Sequence, residues 1–141
     1  MKVSQNWLKS LVEINTTPDD LSEKLSIGGF EVESLIDCSS NVKGVVLGKV
    51  LSVVKHENSE KLSICSVDIG SSNPLQIICG AKNIKPNIHV YVATVGAHLS
   101  AINITIKKSE IRGVNSEGMI CSLEELGIED TSEGIAIINE D

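Results

Sequence analysis

A mainly β protein is what this sequence predicts: a small closed barrel preceded by a small α+β unit at the N-terminus. Three observations carry that prediction. Of the 141 residues 41% are apolar, enough for a core, while aromatics make up only 2%, so the core must be built from Ile, Val and Leu, a composition that favours strands. Beyond about residue 44, short apolar runs are separated by Gly, Ser, Asn and Pro turn signals. Before residue 38 the apolar positions recur instead at helical spacing.

The elements follow in order. Ser4 can cap a first helix whose Trp7, Leu8, Leu11 and Val12 share one face. Thr17 is placed to cap a second, with Pro18 at the first helical position, Asp19 and Asp20 in the first turn and Leu21 and Leu25 on the inner face. Gly28-Gly29 ends it, and FEVESLID, residues 30–37, alternates as a strand. Residues 1–38 thus form a helix-helix-strand unit with too few elements for its own core, an incomplete part of a larger domain. CSSNVKG, residues 38–44, reads as a linker.

Residues 39–141 form the second domain. GVVLGKVLSVVKH, KLSICSVDIG, PLQIICGA, HVYVATVGAHL and INITIKKSEIRG are successive strands, and GIAIINED closes the chain as one more. Within INITIK the alternation places Ile inside and Asn103, Thr105 and Lys107 outside. LEELG, residues 123–127, is the one helical turn among them. Five or six short strands, with a long first strand bent at Gly48, fit the OB-fold, a five-stranded Greek-key barrel whose loops and one strand face carry nucleic acid. An SH3-like barrel or a small sandwich also satisfies the periodicity.

Charge is unevenly spread. The chain carries a formal net charge of −7, but residues 1–42 contribute −4, residues 43–121 contribute +4 and residues 122–141 contribute −7. A basic middle between acidic flanks is compatible either with phosphate binding or with an ordinary solvated surface. Cys38, Cys65, Cys79 and Cys121 form no CxxC pair and read as reduced thiols that pack as small hydrophobes. His56, His89 and His98 lack ligand spacing, so no metal site is expected. No apolar run approaches the ~20 residues of a membrane span, and no signal-peptide h-region opens the chain; a cytoplasmic location follows. There is no GxxxxGK[ST] and hence no ATP site, and no catalytic residue is expected.

Three polar stretches sit at strand ends and bends. In KHENSEKL, residues 55–62, Asn58 and Ser59 can make a side-chain-to-backbone turn that leaves Lys55 and Lys61 as phosphate-directed charges. In CGAKN, residues 79–83, two small residues leave Lys82 and Asn83 room to reach a ligand. Lys107, Lys108 and Arg112 are the densest basic group, followed in RGVNSEGMICS by Ser116 at a bend and by Gly118 to Ser122, which are expected to shape the barrel. Each stretch also has a purely structural reading as a turn or a charged strand edge. With Tyr91 as the single aromatic of the barrel, base stacking should be minor, and contact through shape and phosphate fits a nucleic-acid ligand better.

HxNxxKL, CGAxN and RGxxSxGMxCS in this order resemble the tRNA-binding OB domain of free tRNA-binding proteins, of methionyl-tRNA synthetase appendages and of the bacterial phenylalanyl-tRNA synthetase β subunit. The opening MKVSQNWLKSLVEI and LSIGGFEVESL resemble the start of the last of these, so the resemblance covers the whole chain. Glu57 stands where that family usually has Pro, and Glu60 where it has Asp. The resemblance implies a tRNA-binding and scaffolding module of a phenylalanine-tRNA ligase, itself non-catalytic. It also implies partners in tRNA, the synthetase α subunit and the rest of the β chain within a heterotetramer. ATP and magnesium are implied for the parent enzyme alone. A free-standing OB-fold tRNA-binding protein or chaperone, and a structural barrel without RNA contact, are the alternatives.

Overall fold

The computed structural model describes residues 1–37 and 39–138. The expectations for Cys38 and for residues 139–141 of the last strand lie outside the described residues. The chain divides into two compact units, Met1–Asp37 and Cys38–Asp141.

In the first unit, α1 spans Gln5–Leu11 and α2 spans Pro18–Ile27. Ser4 occupies the N-cap of α1 without a side-chain bond, whereas the Thr17 hydroxyl accepts from the Asp20 N–H (3.2 Å). Pro18 at the first position and two early carboxylates complete the start of α2, as the residue types require. Its end is a Schellman motif: the Phe30 N–H reaches the Leu25 carbonyl (2.9 Å) and the Gly29 N–H reaches that of Ser26 (3.2 Å). Residues 30–37 form no strand. A strand needs a neighbour's N–H and C=O groups, and this unit offers only helices; the Val32 N–H settles on the Ser26 hydroxyl instead (3.4 Å). Neither helix has a buried residue, and Trp7, Leu11, Ile27, Phe30 and Ile36 are exposed.

The second unit is the β-rich one. Its strands are β1 (Val45–Lys55), β2 (Ser63–Asp68), β3 (Leu75–Cys79), β4 (His89–Thr94), β5 (His98–Leu99), β6 (Ile104–Thr105), β7 (Ser109–Ile111), β8 (Val114–Ser116), β9 (Gly118–Ile120) and β10 (Ile137–Ile138). All pairings are antiparallel. β1 pairs β4 through Val45–Lys49 and β2 through Lys49–Lys55, with a register shift between Val50 and Ser52. One strand can serve two neighbours because it bends. Gly48 permits the bend, since a Cβ there would lie 2.7 Å from Val92 and 2.8 Å from Val67.

β2 pairs β3, and β9 pairs β4. The circle closes where β8–β9 meets β3: the Glu117 N–H donates to the Gln76 carbonyl (2.8 Å), Gln76 Nε2 to the Asn115 carbonyl (2.8 Å), and the Ile78 N–H to the Ser116 hydroxyl (3.1 Å). The order β1-β2-β3-(β8–β9)-β4-β1 is that of an OB-fold Greek-key barrel. Inside it, Val50, Cys65, Val67, Ile77, Val90, Val92 and Ile120 form the main core. A second cluster, Ala93, Ala97, Leu99, Ile106, Cys121 and Leu126, fills the end covered by β5 and β6.

The fifth barrel strand is therefore not INITIKKSEIRG. That segment breaks into β6 and β7, Asn103 turns at a φ of 52°, and Ile104 is 47% exposed while Ile106 is buried. Alternation is a sound signal for a strand surface, but the segment serves as a hairpin over the barrel end, which buries only one of these two isoleucines. The strand that closes the barrel is Val114–Ile120, inside the stretch that reads as a turn. HVYVATVGAHL likewise breaks at Val95-Gly96 into β4 and β5. LEELG is a hydrogen-bonded turn opened by a capping box, Ser122 N–H to Glu125 Oε2 (2.7 Å) and Glu125 N–H to Ser122 Oγ (3.2 Å).

Candidate nucleic-acid interface

β1 ends in Lys55, and the next residue turns inward. His56 is 2% exposed, and each ring nitrogen has a partner on a different loop. Nδ1 accepts from the Asn58 N–H (3.0 Å), which holds the β1–β2 turn closed. That leaves the proton on Nε2, which faces the carbonyl of Ile111 at the end of β7 (3.2 Å). The His56 N–H also bonds the Leu62 carbonyl (3.0 Å), so the loop leaves and re-enters the sheet at one point.

The β7–β8 hairpin reaches the same place from the other side. Its two turn residues have positive φ, 51° at Arg112 and 86° at Gly113, as a type I′ turn requires. Gly accepts this freely and Arg does not. What holds Arg112 there is a reciprocal pair of bonds, Asn58 Nδ2 to the Arg112 carbonyl (3.3 Å) and Arg112 Nη1 to the Asn58 carbonyl (3.0 Å).

The clasped loops form one open groove, ≈ 870 Å³, lined by Lys55, Glu57, Asn58, Lys61 and Arg112 among others, with Glu60 on its wall. Three cations face two carboxylates there. Lys55 and Lys61 are exposed and lie in no ion pair among the described residues. In an OB barrel the β1–β2 loop and the connection that follows β4 are the loops that meet oligonucleotides, and this groove lies where the two touch.

Of the residues predicted from sequence, the structure brings together Lys55, Asn58, Lys61 and Arg112. The others lie outside the groove lining. Lys82 and Lys107 are exposed. Lys108 Nζ bonds Glu117 Oε1 at 2.8 Å, and that hydrogen bond, helped by the lysine charge, holds the Glu117 carboxyl below the usual carboxylate range. Asn83 has both ends of its amide engaged: Oδ1 accepts from the Ile135 N–H (3.1 Å) and Nδ2 donates to the Ile135 carbonyl (2.9 Å). Ser116, 2% exposed, accepts from the Ile78 N–H and donates to the Gly118 carbonyl (3.1 Å). Ser116 thus acts within the barrel, because a polar group this enclosed must satisfy its bonds internally, and half-buried Asn83 spends its amide on the Ile135 backbone. Sequence reasoning missed His56, whose signal was its place two residues before Asn58 at a strand end.

Cys65, Cys79 and Cys121 are free and buried. Burial pushes the Cys65 thiol up to about 12 and the Cys121 thiol up to about 11, and raises that of Cys79. Among the described residues no group of three or more His, Cys, Asp and Glu is placed to hold a metal ion, and no helix is long and apolar enough to cross a membrane.

Comparison with known proteins gives three findings. Residues 45–141 match the family model described as "Putative tRNA binding domain". The chain is 89% identical over its whole length to a phenylalanine–tRNA ligase beta subunit of Prochlorococcus marinus subsp. pastoris, 79% to that of Prochlorococcus marinus strain MIT 9312, and 56% over 99% of its length to that of Synechococcus sp. strain CC9605. It spans 17% of the length of each of these relatives. Among solved structures, the C-terminal domain of Plasmodium vivax p43 is similar at a TM-score of 0.47 and 21% identity, over 61% of this chain and 48% of that one.

Proposed function

The chain belongs to the tRNA-binding-domain family, and from that premise we propose that it is the tRNA-binding and scaffolding module of a phenylalanine–tRNA ligase beta subunit. The observation that carries the reading is the groove at the junction of the β1–β2 loop and the β7–β8 hairpin, where Lys55, Lys61 and Arg112 converge. These three hold backbone phosphates; Asn58 orders the loop; Lys82 and Lys107 add charge outside the groove. With Tyr91 half-buried there is no aromatic platform for splayed bases, so folded tRNA is held by shape and charge.

The module does no chemistry. Its parent charges tRNA with phenylalanine, and ATP and magnesium act in portions of the enzyme other than these residues. Its partners are the α subunit and the remaining β chain of a cytoplasmic heterotetramer. Residues 1–38 belong to a larger domain that the rest of the β chain completes, which is why Trp7, Leu11, Ile27 and Phe30 stand exposed.

Titration of the chain with tRNA by filter binding at several salt concentrations tests this. Binding should weaken with salt, and replacing Lys55, Lys61 and Arg112 together by Ala should flatten the slope of log affinity against log salt by about two to three. An unchanged slope with an intact fold by circular dichroism would favour the structural barrel without RNA contact.

A further inference from the structure

We infer that His56 is a positioning residue for RNA binding: buried beneath the groove, it ties the β1–β2 loop to the β7–β8 hairpin so that Lys55, Lys61 and Arg112 act as one preformed phosphate site. The inference rests on the RNA-binding reading above and goes beyond it: His56 is part of the groove lining but is 2% exposed, and both its ring nitrogens are bonded within the protein, so its part is to hold the loops.

Two loops that carry cations on long side chains would ordinarily move independently, and each would have to be ordered when phosphate arrives. Ordering a rotamer-rich side chain and its loop at an interface costs roughly 0.5–1.5 kcal/mol per side chain. Here that ordering is done within the protein. His56 is 2% exposed, Nδ1 fixes the Asn58 N–H at 3.0 Å and Nε2 fixes the Ile111 carbonyl at 3.2 Å. Asn58 and Arg112 then exchange two further bonds, at 3.3 and 3.0 Å. The imidazole carries an acceptor and a donor on different edges of one ring, so it spans the two loops where an apolar residue of equal size would make neither tie and would leave the Asn58 N–H without this acceptor.

Arg112 supports the same assignment. It sits at a φ of 51°, which costs a non-glycine residue about 1–2 kcal/mol, and such backbone persists where the surroundings over-determine it. One guanidinium nitrogen is bonded inward to Asn58. The remaining N–H groups of its fork are left for a phosphate, in an orientation the clasp sets.

The test combines substitution with a double-mutant cycle, using the 141-residue chain and tRNA. His56→Leu removes both ring bonds and should weaken binding about five- to tenfold, whereas His56→Gln, which keeps one acceptor and one donor, should recover most of that loss. Lys61→Ala should cost about threefold and reduce the salt slope by nearly one in the otherwise unchanged chain, and distinctly less in the His56→Leu background, because an unclasped Lys61 no longer belongs to a shared site. Ile120→Val, a core change of small cost, serves as the stability control and should leave affinity unaltered. Should His56→Leu fail to fold, Asn58→Ala replaces it in the cycle: Asn58 is exposed, and its loss removes one tie between the loops, the Nδ2 bond to the Arg112 carbonyl, while the backbone bonds of residue 58 to His56 and Arg112 stay, so the loss of coupling should be smaller than for His56→Leu.

Additive losses in the cycle overturn the positioning role, as does a His56→Gln variant no better than His56→Leu. If Lys55→Ala and Lys61→Ala leave tRNA affinity unchanged in the parent chain, the RNA-binding reading of the groove fails and the inference falls with it. Non-additivity together with rescue by Gln supports it.

Discussion

Arg112 has a structural place in the β7–β8 turn and a proposed one at phosphate, and one substitution separates them. Asn tolerates positive φ better than Arg, so Arg112→Asn should leave the urea midpoint nearly unchanged, the eased backbone offsetting the lost Nη1 bond. tRNA affinity should fall, with a salt slope smaller by about one. At Gly134 a Cβ would collide with the Asn83 amide, and φ is 86° besides. Gly134→Ala should therefore cost about 1–3 kcal/mol by thermal unfolding, and less when Asn83 is already Ala. The thiols make a pH prediction. Cys65 and Cys121 rise from an ordinary 9.0 to about 12 and about 11 through burial. Between about pH 9 and 11 the unfolded chain releases protons that the folded chain keeps, so the contribution, complete below about pH 9, declines as pH climbs toward the folded values. The urea midpoint should drop between about pH 8 and pH 10.5, and Cys→Ala variants should drop less.

At the scale of elements, the β1–β2 loop holds two carboxylates, Glu57 and Glu60, in the groove beside its lysines. Replacing both with Gln removes repulsion toward phosphate and should tighten tRNA binding about three- to tenfold at low salt, with the gain fading as salt rises. In the turn after β9, Glu125 closes a capping box. Glu125→Ala should thus lower stability by about 1 kcal/mol while leaving the groove and its tRNA affinity intact, whereas Glu129→Ala should be silent in stability. The α2 segment was readable in full, because Thr17, Pro18, Asp19 and Gly28-Gly29 act on their own backbone. The strand expected at 30–37 was not, because pairing depends on groups from elsewhere in the chain.

For the molecule as a whole, every residue of the two core clusters comes from the second unit. Removing residues 1–37 should leave the barrel's melting temperature within a few degrees of its original value. The same truncation should reduce self-association measured by analytical ultracentrifugation, since it deletes Trp7, Leu11, Ile27 and Phe30, all exposed.

The sequence by itself determined the barrel class and the position of the helices, since composition, periodicity and turn residues are properties of neighbours along the chain. Only the tertiary structure decided what each polar residue does. RGVNSEGMICS contains Arg112-Gly113, Ser116 and Gly118 within a few positions, yet one pair makes a turn at the groove, the serine bonds β3, and Gly118 begins a strand beside β4. Asn58 and Asn83 stand in similar loop motifs, but one meets Arg112 and the other Ile135. Those partners lie 54 and 52 residues away, and a hydrogen bond is settled by proximity in space, which barrel closure creates and local sequence does not encode.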